Sequence, residues 1–128
     1  MKSEMHMSNL NLPTMSYANL HKLLEDAGKS RLRIAYATEI VQGPLYIEVQ
    51  HHGSTIARVW PAAVGRVQVD TCGWDSMTTS QRISKVLGDN DVPFAVSIRK
   101  GKTTLLARPT LAPVARLTTA TFQNGELV

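Results

Sequence analysis

Between Arg31 and Thr71 the apolar residues tend to fall at every second position, in short runs broken by glycine or proline. That period suits an extended chain with one face buried, and it restricts the stretch to β-structure. "RLRIAYATEIV" reads as one strand, and Gly43-Pro44 punctuates it. In "LYIEVQ", Leu45, Ile47 and Val49 alternate with Tyr46, Glu48 and Gln50, as in a half-buried antiparallel strand. "HHG" turns into "STIARVW", Pro61 ends that strand, and Gly65 opens "RVQVDT" with Val67 and Val69 inward. Strands that return after such short connections form a meander.

Helical spacing appears twice. In "SYANLHKLLEDAG" Ser16 is placed to cap, Leu20, Leu23, Leu24 and Ala27 share a face, and Gly28 stops the run. In "TTSQRISKVLG" Thr78 and Gln81 stand at capping-box spacing, Ile83, Val86 and Leu87 make the apolar face, and Gly88 closes it. Beyond it, "PFAVSIR" and "TTLLAR" flank "KGK" as a hairpin, and "VARLTTATF" reads as a last strand before "QNG". The expected fold is α+β: an antiparallel sheet of about six or seven short strands, an N-terminal helix, and a second helix near residues 78–87. Residues 1–13 read as a flexible leader and 14–128 as a single domain. A chain of 128 residues suffices for one core.

Charge narrows the partners. The net charge is +4, and Arg82, Lys85, Arg99, Lys100, Lys102, Arg108 and Arg116 stand against Asp89 and Asp91 alone between residues 82 and 116. Clustered cations of this kind raise the local concentration of anions. A lone Cys72 rules out an internal disulfide and fits a reduced compartment, here a cytoplasm. No apolar run approaches the roughly 20 residues that cross a bilayer.

No catalytic signature is present. Among His6, His21, His51 and His52 only the last two are adjacent, and neighbours in a strand point to opposite faces, a poor arrangement for a shared metal. HExxH, CxxC, GxSxG, Walker and GxGxxG patterns are missing. The expectation is a protein that binds without catalysis, cofactor or metal. In "HHGST", His52 and Thr55 are hydrogen-bonding groups beside a glycine that admits close backbone approach.

"GWDSMTTSQRI" admits two readings. As an anion receptor, the helix N-terminus, Thr78, Thr79 and Arg82 would hold phosphate while Trp74 stacks a base. As a plain corner, Thr78 caps the helix, Trp74 fills the core and Arg82 lies on the solvent side. Phe94 is a second candidate for stacking, and Arg108 one for closing the site from a neighbouring chain.

Residues 45 to 87 resemble a pattern in small proteins of tailed bacteriophages, especially those of actinobacteria: an "LHGT"-like strand end, then roughly "SGGW-x-T-x-T-T-x-x-R-I-N". His52, Gly53, Gly73, Trp74, Thr78, Thr79, Arg82 and Ile83 match it. Ser54 is inserted before the threonine, Cys72 replaces a glycine, Ser76 a threonine and Ser84 the asparagine. "ATFQNGELV" is similar to the usual "PF-x-DG" ending. More distantly, size and basic character resemble the signal-sequestering sponges of the Thoeris anti-defence type. That resemblance implies a homo-oligomer in the host cytoplasm that holds a small cyclic nucleotide or ADP-ribose-derived signal. A direct inhibitor of a host defence complex, or a basic nucleic-acid-binding protein working through "RKGK", is the alternative.

Overall fold

In the computed structural model, which describes residues 11–128, ten strands and two helices form in the order α1 (Tyr17–Ala27), β1 (Arg31–Ala35), β2 (Thr38–Gln42), β3 (Ile47–His51), β4 (Ser54–Val59), β5 (Arg66–Asp70), α2 (Met77–Asp89), β6 (Phe94–Arg99), β7 (Lys102–Ala107), β8 (Ala112–Arg116), β9 (Thr119–Gln123) and β10 (Glu126–Leu127). The fold is α+β, as expected, but the strands divide between two antiparallel sheets. One has the order β1-β2-β3-β4-β5-β9-β10, the other β6-β7-β8.

The higher strand count has local causes. "RLRIAYATEIV" folds back on itself at Tyr36–Ala37, where Ala37 takes φ 50° without help from glycine or proline. "VARLTTATF" breaks at Leu117–Thr118, and its halves join different sheets. Leu45 is exposed rather than inward, because the amide of Gly43 donates to the carbonyl of Tyr46 and leaves Leu45 at the tip of a turn.

The core lies between the large sheet and the helices. Ile40, Ile47, Val49, Ile56, Val59, Val67, Val69 and Phe122 are buried on the inner face; each contributes about 1.5–3 kcal/mol through the apolar area it removes from water. α1 is capped by Ser16, whose hydroxyl accepts from the amide of Asn19, and ends at Gly28 in the left-handed region. It sets Leu20 and Leu24 against β1 to β3. α2 packs on β6 and β4 through Ile83, Val86 and Leu87.

Two details of α2 differ from expectation. The helix begins at Met77, and its cap is Ser76, which accepts from the amide of Thr79 at 3.2 Å and donates to the Thr79 hydroxyl at 3.1 Å. Thr78 is therefore an exposed first-turn residue, not the cap. The helix also runs through Gly88 to Asp89.

The expected leader falls mostly outside the described residues, which begin at Asn11. Leu12 and Met15 are buried in the core. The Met15 amide donates to the Asp89 carboxylate and Asn90 donates to the Met15 carbonyl, joining the start of the described chain to the end of α2. No helix among the described residues is long and apolar enough to cross a membrane.

Candidate ligand-binding corner

Two turns meet where the large sheet ends beside the start of α2. Pairing of β2 with β3 sets Thr38 opposite His51, so the Tyr36–Ala37 turn lies against the His52–Gly53 turn. The amide of His52 donates to the carbonyl of Ala37 at 2.8 Å. His52 and Gly53 both take positive φ, 51° and 80°, as a two-residue hairpin turn of the primed kind requires.

The loop after β5 brings Trp74 to the same place. Its indole N–H donates to Ser54 Oγ at 3.3 Å, and its ring lies 5.6 Å from that of His52. His52 in turn meets the Tyr36 ring edge-on at 5.9 Å. Tyr36, His52 and Trp74 form a continuous run of rings at the surface, with Tyr36 70% and Trp74 42% exposed. Met77 stands exposed at the first position of α2.

A cleft of about 400 Å³ opens beside the Tyr36 and His52 rings, lined also by Arg33, Thr38, Glu39 and Gln50. Arg31 pairs with Glu39. Arg33 has no carboxylate partner among the described residues; its Nε donates only to the carbonyl of Ala35. Arg33 and Glu39, opposite each other across β1 and β2, are the charged groups that line the cleft, and the Glu39 carboxylate is engaged by Arg31.

Beneath the turns lies a buried polar node. Arg82 is 4% exposed; its Nε donates to Thr38 Oγ1 at 2.7 Å and its Nη2 to the carbonyl of Tyr36 at 3.3 Å. The Thr38 hydroxyl gives its one proton to the same carbonyl at 2.7 Å. His51 Nδ1, 3.3 Å from Thr38 Oγ1, must then be the donor in that contact. Burial, the Arg82 charge and His52, in that order, hold His51 below the ordinary imidazole range, against a hydrogen bond to the Ala37 carbonyl. Burial also lowers Arg82, whose partners are all neutral.

The two readings of the junction exchange their parts. Trp74 does not fill the core and Arg82 does not lie on the solvent side. The ring is outside and the guanidinium inside, where it ties α2 to the Tyr36–Ala37 turn. Spacing held the signal for Arg82: it lies three residues after Thr79 and four before Val86, on the inward stripe of α2. Only its charge argued otherwise.

Of the other expected residues, Thr79 is buried with its hydroxyl taken by the cap. Thr55 donates to Glu48 on the outer face of the sheet. Phe94 packs on Phe122 at 5.1 Å, and Arg108 lies beside Gly88. Both therefore sit near the C-terminal end of α2, and within this chain they do not join His52 and Trp74.

Tyr36, Thr38, His51 and Arg33 escaped sequence reading. His51 was legible in principle, since it continues the inward parity of Ile47 and Val49. Tyr36 lies in a turn that carries no turn-forming residue.

Chemically, the corner offers flat rings for stacking and a guanidinium for an anion. The Cys72 thiol is pushed up by burial and by Asp70, and donates to the carbonyl of Thr55. No group of three or more His, Cys, Asp or Glu among the described residues could hold a metal ion.

A family model described as Kyanoviridae Gp96 protein matches residues 23–128. No curated protein and no solved structure matches the chain.

Proposed function

The chain belongs to the Kyanoviridae Gp96 family of phage proteins, and we propose that it binds and sequesters a small nucleotide, such as a cyclic nucleotide or ADP-ribose-derived immune signal, without making or breaking a bond. The reading rests on one observation: in the exposed run Tyr36–His52–Trp74, Tyr36 and His52 line a cleft that also holds Arg33, which has no carboxylate partner among the described residues. A base stacked on such a ring is held by about 1–3 kcal/mol, and a phosphate on a guanidinium gains a charge-assisted bond. The buried Arg82 would add positive potential from below and fix the turn that carries Tyr36. A homo-oligomer in the host cytoplasm, with Arg108 of a second copy reaching the corner, completes the proposal.

The test is to purify the protein from phage-infected cells, heat it, and analyse the released small molecules by mass spectrometry. The reading expects a nucleotide in stoichiometric amount and a raised melting temperature when it is added back. No released species, and no thermal shift across a panel of cyclic nucleotides, would remove it.

The exposure of Met77 (66%) at the start of α2, together with that of Tyr36 and Trp74, favours a second reading, contact with a host defence protein, because aromatic and methionine side chains are enriched at such interfaces. Stoichiometric recovery of a host protein by the wild type, lost in Trp74→Ala and Met77→Ala, would favour it.

A further inference from the structure

The small sheet carries a separate feature. Between Asp91 and Glu126 the sequence holds five cations and no carboxylate: Arg99, Lys100, Lys102, Arg108 and Arg116. Strand register gathers four of them. Val96, Thr103 and Leu105 are buried, which assigns Ser97, Arg99, Lys102 and Thr104 to the opposite face. On that face Arg99 stands directly opposite Lys102, and Ser97, Thr104 and Arg116 form the adjacent row across the three strands. Lys100 occupies the hairpin tip between Arg99 and Lys102. None of the four pairs with a carboxylate among the described residues.

Like charges directly opposite in an antiparallel pair destabilise it. At the tip, Lys100 takes φ 52° followed by Gly101 at 73°, a position that favours asparagine, aspartate or glycine. Both are unfavourable choices for the fold alone, and an anionic partner would compensate them.

We propose that this face binds the phosphate backbone of double-stranded nucleic acid without reading its sequence. Three strands of five or six residues make a surface about 20 Å long and 10 Å wide. A duplex presents one negative charge for about every 1.7 Å of axis, more than enough to face four cations. The Ser97 and Thr104 hydroxyls between the cations are further phosphate ligands. Phe94, the one aromatic residue in these strands, lies on the inner face against Phe122. The cationic face thus has no ring for unpaired bases to stack on, which selects a duplex over a single strand.

The test uses the full chain, a fluorescent DNA duplex of arbitrary sequence and a salt titration. Four phosphates neutralised give a log–log slope of about −3.6, so that affinity falls about 150-fold between about 50 and 200 mM salt. The triple variant Arg99→Gln, Lys102→Gln, Arg116→Gln should retain a slope of about −0.9. Lys100→Asn guards against a folding artefact: it suits the turn better, so its melting temperature should hold or rise while the slope loses about 0.9. Equal binding of an RNA duplex supports a backbone contact. Failure to bind duplex at the lowest salt, a slope indifferent to these substitutions, preference for a single strand, or preference for poly-glutamate over the duplex would each overturn the proposal, the last in favour of an acidic protein partner.

Discussion

Thr38→Val removes a single hydroxyl, yet its cost depends on a guanidinium 44 residues away in the sequence. With Arg82 in place, the substitution leaves a buried charged N–H without its 2.7 Å acceptor and deprives the Tyr36 carbonyl of one of its two donors. Stranding a buried donor costs about 1–3 kcal/mol, and more when it is charged; about 3 kcal/mol is expected here. Arg82→Met loses both hydrogen bonds but also removes a buried cation whose partners are neutral, and the thioether chain fills much of the volume. The Tyr36 carbonyl keeps the Thr38 hydroxyl and the hydroxyl keeps His51, so neither acceptor is stranded and the loss should be about that of an ordinary hydrogen bond, about 1 kcal/mol. In the double variant no stranded cation remains, and the total should fall short of the sum by about 1–2 kcal/mol. Urea denaturation of the four proteins, followed by far-UV circular dichroism, measures the cycle. Additivity within about 0.3–0.5 kcal/mol would show that Arg82 and Thr38 are not coupled and would refute the node.

Two further outcomes follow from the same region. His51 is held neutral, its folded pKa below the ordinary 6.5; the unfolded chain therefore takes up the proton first, and stability falls as pH drops below about 6.5 toward the folded value. Denaturation midpoints between about pH 7.5 and 5 should show this loss, and His51→Gln should flatten it; a wild type whose stability is level or rises on acidification would contradict it. Ser76→Ala should cost about 1 kcal/mol through loss of the α2 cap, whereas Thr78→Ala should stay within about 0.5 kcal/mol; the reverse order would restore Thr78 as the cap.

Much of the fold was legible because it rests on local alternation. Ile47, Val49, Val67 and Val69 are inward where period two puts them, and Gly28 stops α1 as its freedom at φ 64° allows. The Tyr36–Ala37 turn was hidden because tertiary partners hold it: the Tyr36 carbonyl takes protons from both Thr38 and Arg82. No local residue choice announces such a turn. The site was half visible for the same reason. His52 and Trp74 meet because two hairpins and a loop converge, while Phe94 and Arg108, reasonable by residue type, are carried to the other end of α2.

The most direct test of the binding corner uses Trp60→Phe, which leaves Trp74 as the sole tryptophan of the two in the sequence. Its fluorescence is followed while cyclic nucleotides and ADP-ribose derivatives are titrated in. The account predicts saturable quenching by at least one of them, lost in Tyr36→Ala and weakened in Arg33→Gln. Tight binding measured by calorimetry with no change in Trp74 emission, and no effect of either substitution, would contradict it.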